Sequence, residues 1–189
     1  MRIAIMLYAG FQLLDVSGPM DVFQEANRLY GATFYEQQLV GPSHGPVMCS
    51  NGTAVSTTAS LRDARASFDI VVVPGAPLVA AEHEHRELVD WLSRTGRNAR
   101  KLASVSNGAF LVARAGLADH RWMITHGRDA QRLASEYPLV NVTTDLNCLK
   151  DGNLYSSDGV SAGIHLALTL VEEDLGEHAV RRIASALLM

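Results

Sequence analysis

Ser104-Val105-Ser106-Asn107-Gly108 places a serine two residues before a glycine, where a strand-type run meets a helical one. The spacing resembles the G-x-S-x-G nucleophile elbow, with Ser104 in place of the first glycine. An elbow is a sharp turn that exposes its central side chain at a helix N-terminus, where backbone N–H groups can hold an oxyanion. The plainer reading is that Ser106 or Asn107 caps the helix that follows. If the elbow is retained, Ser106 takes a positive φ and faces a pocket shared with Asp15; a helix cap takes relaxed extended angles. Asp15 stands between Leu14 and Val16, just before a helical segment. Its carboxylate can serve as a general base, anchor a ligand by hydrogen bonds, or cap the helix over Ser17–Tyr30. His126 follows a short strand-type run, as a base or as a strand-end histidine held by the backbone. Pro74-Gly75 follows a run of hydrophobic β-branched residues and is at the least a turn. Glu82-His83-Glu84-His85 has the residue types of a metal site. Residues i and i+2 do not share a helix face, so a solvated surface is the better reading and no metal is expected.

These residues need elements to hold them. Arg2–Tyr8, Phe34–Val40, Asp69–Val73 and Lys101–Val105 read as strands, the first and third as buried on both faces. Trp122–Thr125 and Val140–Thr143 read as short strands. Cys148–Ser156 reads as late strands turning at Asp151-Gly152. Val47–Thr58 carries Asn51-Gly52 and reads as a hairpin. Helical spacing covers Asp15–Tyr30, Pro77–Thr95 closed by Gly96, Gly108–Ala115 with Gly116 as its cap, Arg128–Glu136, Val160–Leu175 and Glu177–Leu188. Strands alternating with helices predict a three-layer α/β sandwich around a mainly parallel sheet of about six strands, with an accessory hairpin. In such a sheet ligands bind beyond the carboxyl ends of the strands, at the topological switch point. The segments in that place are Gly10–Asp15, Pro74–Pro77, Ser106–Gly108 and His126.

Sixteen basic and twenty acidic residues give a net charge of −4, with no Lys/Arg run to grip DNA or an anionic membrane. At 48% hydrophobic and 19% charged, the 189 residues can bury a core without staples. Two cysteines, Cys49 and Cys148, make neither a disulfide framework nor a zinc ligand set. The apolar start, Ile3 to Tyr8, is short and reads as a first core strand rather than a signal peptide. No apolar run is long enough to span a membrane. No G-x-G-x-x-G or P-loop pattern supports a nucleotide cofactor, and none is expected. A single cytoplasmic domain over 1–189 is the expectation.

The segment from Ser104-Val105-Ser106-Asn107-Gly108-Ala109-Phe110-Leu111 through Ala115-Gly116-Leu117 resembles the elbow of the PfpI-like superfamily, which has the class I glutamine amidotransferase fold. Leu13 through Phe23, Val72-Val73-Pro74-Gly75, Thr125-His126 and Asp151 through Ile164 agree in order along the chain. Within that superfamily the sequence is most similar to the N-terminal domain of AraC-type transcriptional regulators. The resemblance implies a role for Pro74-Gly75 in supplying an oxyanion-hole amide. It implies an acidic partner to the elbow residue at Asp15, as in the isocyanide-hydratase branch, and a place for His126 near the elbow. Two departures count against catalysis. Catalytic members carry Cys at the elbow, where this chain has Ser106, and proteolytic and deglycase-like members follow it with His, where this chain has Asn107. A serine hydroxyl needs a positioned base that a thiolate does not. The resemblance therefore implies a sensing and dimerisation domain. A small polar metabolite would bind between Asp15, Gly75, Ser106, Asn107 and His126. DNA would be contacted only by helix-turn-helix motifs beyond residue 189. The alternative is a PfpI-like hydrolase or isocyanide-hydratase-like enzyme with Ser106 as nucleophile and Asp15 and His126 as its partners.

Overall fold

The computed structural model describes residues 1–65, 67–78 and 85–187. Its strands and helices run in the order β1 (Arg2–Met6), α1 (Leu13–Tyr30), β2 (Glu36–Gly41), β3 (Pro46–Met48), β4 (Ala54–Ser56), β5 (Ala59–Ser60), β6 (Ile70–Val73), α2 (Arg86–Asn98), β7 (Lys101–Val105), α3 (Ala109–Arg114), β8 (Trp122–Met123), α4 (Ala130–Glu136), β9 (Asn141–Val142), β10 (Cys148–Asp151), β11 (Leu154–Ser157), α5 (Val160–Leu175) and α6 (Glu177–Ala186).

Seven strands form the main sheet in the order β10-β11-β7-β6-β1-β2-β5. All neighbours pair in parallel except β10 with β11. The sheet thus has one strand more than the sequence suggests, because β5 is only Ala59–Ser60 and too short to leave a periodicity. β3 and β4 make the separate hairpin, with Gly52 at φ 85° in its loop. The continuous hydrophobic run of β6 lies between β1 and β7 and is wholly buried, as expected of a strand covered on both faces. The chain winds outward from β1 through β2 to β5, and from β6 through β7 to β11. The switch point therefore falls between β1 and β6.

Alternate residues of β7 show the layers. Val105 meets Gly163 of α5, and Lys101 reaches the same helix. Leu102 points to the other face, toward Gly96 of α2. α1, α5 and α6 pack together on the first face, while α2 and α3 pack together on the second. Gly96 does not close α2, which runs on to Asn98. A Cβ there would come within 2.7 Å of Leu117, so this glycine allows close helix packing rather than a cap. The first part of the segment expected to be helical, Pro77–Leu78, is a turn. Residues 82–84 of the Glu/His run lie outside the described residues. His85 packs its ring 5.1 Å from that of Tyr8. No helix among the described residues is long and apolar enough to cross a membrane.

A buried ionic cluster fastens α5 across the sheet. Lys101 Nζ donates to Asp174 Oδ1 and to the Leu170 carbonyl, each at 2.9 Å, and Tyr35 donates its hydroxyl to Asp174 Oδ2 at 2.9 Å. Lys101 and Asp174 side chains are each only 9% exposed. Lys101 also sits near the C-terminus of α5, where a cation offsets the partial negative charge of the last carbonyls.

Candidate functional site

A polar cavity of about 540 Å³ opens where β1, β6 and β7 end. It is the place that the switch-point rule assigns to a ligand in an open α/β sheet. Asp15, Gly75, Ser106, Asn107 and His126 all line it. They arrive from four strand ends: Asp15 after β1, Gly75 after β6, Ser106 and Asn107 after β7, and His126 after β8.

Ser106 has φ 53°, in the left-handed region that serine seldom adopts. Such a conformation costs about 1–3 kcal/mol and must be held by its surroundings. Two contacts hold it. Thr125 Oγ1, fully buried, donates to the Ser106 carbonyl at 3.2 Å. Gly108 presses against the end of β6, so that a Cβ there would collide with the Val73 carbonyl oxygen and lie 2.8 Å from that of Pro74. The last glycine of the motif is therefore required by backbone approach. Residues Ser106–Gly108 form a 3-10 turn leading into α3, and no side chain caps either segment. The capping reading of Ser106 and Asn107 is thus excluded.

Asn107 is committed to the neighbouring loop. Its Oδ1 accepts from the Ala76 N–H at 2.9 Å and its Nδ2 donates to the Ala76 carbonyl at 2.8 Å. Gly75 is held in the same manner from α1. Its N–H donates to Asp15 Oδ2 at 2.9 Å, and its carbonyl accepts from the Gln12 N–H at 2.8 Å. A Cβ on Gly75 would strike Asn107 Oδ1 and lie 3.0 Å from Asp15 Oδ2. The amide expected to serve an oxyanion is therefore occupied by a carboxylate of the same chain, and the next amide by Asn107.

Asp15 is not an N-cap. It lies inside the first turn of α1, which starts two residues before it at Leu13. Its side chain is completely buried, and Oδ1 has no hydrogen-bond partner among the described residues. Burial raises its pKa from 3.8 to about 6, against the smaller opposing effect of the Gly75 N–H. The folded state thus holds the proton more tightly than the unfolded chain between about pH 4 and 6. Stability falls as pH rises through that window, and above it the ionised group costs about 3 kcal/mol. Asp15→Asn keeps an acceptor for Gly75 and removes the charge. It is expected to stabilise the fold by about 1–2 kcal/mol at pH 7.5 and to flatten the difference between pH 4.5 and 6.5. Urea unfolding of both proteins across that range checks this; lower stability of the variant at pH 7.5 would contradict it.

His126 is half-buried and caps the 3-10 turn Gly127–Asp129, its Nδ1 accepting from the Arg128 N–H at 3.3 Å. With Nδ1 as acceptor, the neutral ring carries its proton on Nε2. A triad base needs the opposite tautomer and a carboxylate to orient it. No carboxylate contacts His126 among the described residues, so the geometry favours a pocket-lining histidine over a base. Arg128 and Asp129 also line the cavity and were not singled out in the sequence. The signal was present, since they follow the strand-end His126 within one turn. Among the described residues no three His, Cys, Asp or Glu side chains group as metal ligands.

Residues 1–173 match the model of the DJ-1/PfpI family. The chain is 29% identical over 176 residues to isonitrile hydratase of Pseudomonas putida, covering 93% of this chain and 73% of that protein. It is 30% identical over 172 residues to the HTH-type transcriptional regulator CdhR of Pseudomonas aeruginosa, covering 90% of this chain and 50% of the regulator. The chain thus spans about half the length of that regulator. The crystal structure of an AraC family transcriptional regulator from Pseudomonas putida superposes with a TM-score of 0.87 at 22% identity, covering 98% of each chain. The matched length, the parallel sheet and the retained elbow agree: the chain belongs to the DJ-1/PfpI family.

Proposed function

We propose that this chain is the ligand-sensing and dimerisation domain of an AraC-family transcriptional regulator, working in the cytoplasm as a homodimer. DNA contact is left to a region outside these residues, consistent with the −4 charge. The observation that carries the reading is the state of the elbow. The strained turn is kept, while its centre is Ser106 and the amides of Gly75 and Ala76 are taken by Asp15 and Asn107. A polar cavity of metabolite size is thereby preserved without an activated nucleophile or a free oxyanion amide from that loop. The similarity to CdhR supports the regulator side. A thermal-shift screen of small polar metabolites tests it, because a ligand at a hundredfold its Kd stabilises by about 2.7 kcal/mol. No shift from any metabolite, or a strictly monomeric full-length protein, counts against it.

The second reading is an enzyme like the isonitrile hydratase, with Ser106 as nucleophile and Asp15 as acid/base partner. Its support is the 29% identity and a buried carboxyl whose pKa of about 6 suits proton transfer near neutrality. Hydration and hydrolysis assays on the unmodified chain, Ser106→Ala and Ser106→Cys separate the two. Turnover abolished by Ser106→Ala favours the enzyme. The occupied amides predict that even Ser106→Cys stays without turnover.

A further inference from the structure

Among the described residues that line the cavity, one buried side-chain oxygen is left without a hydrogen-bond partner. Asn107 spends both ends of its amide on Ala76, and Gly75 has its N–H and carbonyl engaged. Asp15 is a carboxylate with one oxygen on the Gly75 N–H and the other, fully buried Oδ1, without a partner among the described residues. An ionised carboxylate only accepts, so the missing group is a donor. No described cation of the chain pairs with Asp15: Arg128 lines the same cavity but is exposed and makes no ion pair with it. A buried charge is tolerated when an opposite charge meets it with a hydrogen bond, and a charged donor bonds about twice as strongly as a neutral one.

We propose that the ligand of this cavity presents a cationic nitrogen bearing N–H, a primary or secondary ammonium or an amidinium, to Oδ1 of Asp15. The inference rests on the sensor reading and names the chemical class that the sensor detects. It makes Asp15 a recognition group, and it explains why a buried carboxylate that destabilises the free protein is useful: the ligand supplies its missing partner. A quaternary ammonium has no N–H and cannot satisfy Oδ1. Asp129, also on the cavity wall, offers a carboxylate without this unmatched buried oxygen and serves as the control.

Three small probes test this: propylammonium, N,N,N-trimethylpropylammonium and propanoate, titrated at pH 7.5 against the protein while the backbone amide of Gly75 is followed by NMR. Propylammonium is expected to shift that amide and to bind at least tenfold more tightly than the other two. Asp15→Asn is expected to weaken it at least tenfold while remaining folded, and Asp129→Asn less than threefold. Equal binding of the trimethyl probe, an unchanged affinity in Asp15→Asn, a larger loss in Asp129→Asn, or no binding of propylammonium each overturns the proposal. The metabolite screen keeps the two readings apart. A hit that perturbs Gly75 yet has no N–H cation removes this inference and leaves the sensor standing. A screen without any hit removes the sensor itself.

Discussion

Truncating Asp174 to alanine is expected to destabilise the domain by about 3–5 kcal/mol, the usual cost of stripping one partner from a buried ion pair. The loss has two parts. Lys101 would keep the Leu170 carbonyl but lose its close counter-charge, with Glu173 remaining only at 3.6 Å. The Tyr35 hydroxyl would lose its acceptor in a half-buried place. Lys150→Ala, which removes the exposed pair with Glu173, is expected to cost under about 1 kcal/mol. Urea unfolding of the three proteins measures both. A cost below 1 kcal/mol for Asp174→Ala would mean that Glu173 moves in to replace it.

Gly108→Ala is expected to cost about 2–4 kcal/mol and to relax the elbow. The new methyl would meet the Val73 carbonyl oxygen and the Pro74 carbonyl carbon at 3.0 Å. These are backbone atoms at the end of the central strand, hydrogen-bonded on both sides, so overpacking cannot be relieved by a rotamer change. Gly127→Ala is the matched control, because nothing lies within 4 Å of its Cβ position and its φ is ordinary. That change is expected to stay within about 0.5 kcal/mol. Chemical denaturation gives the energies, and loss of ligand-induced thermal shift in Gly108→Ala gives the effect on the site. Equal stability of the two variants would show that the turn is not held against β6.

Much of this architecture is legible in the sequence because buried parallel strands are long hydrophobic runs with little competing periodicity. β6 and β7 are of that kind, and the sharp turn at Ser106 follows from a serine-x-glycine at a strand end. The strand β5 is not legible, since two residues carry no pattern. The commitments inside the site are not legible either. Asp15 is left open between base, ligand anchor and helix cap, because local spacing cannot reveal a bond to Gly75, 60 residues away. Gly75 looks like a free amide donor for the same reason. Asn107 could be placed in the site, but not its two hydrogen bonds to Ala76, which come from packing the β6 and β7 loops side by side. Arg128 and Asp129 were legible only by their place directly after the strand-end His126, since a charged residue in a polar loop carries no pattern of its own.

The packing of α1 on α5 also bears on how the domain is made. One comes from residues 13–30 and the other from residues 160–175, and together they cover the same face of the sheet. During synthesis the apolar side of α1, including Val22, Phe23 and Ala26, emerges early and waits for a partner at the far end of the chain. At about 5–20 residues per second that delay is roughly 7–30 seconds. The apolar side of α1 is therefore left without its helical partner until α5 leaves the ribosome, and the sheet is closed last on the face that carries Asp15.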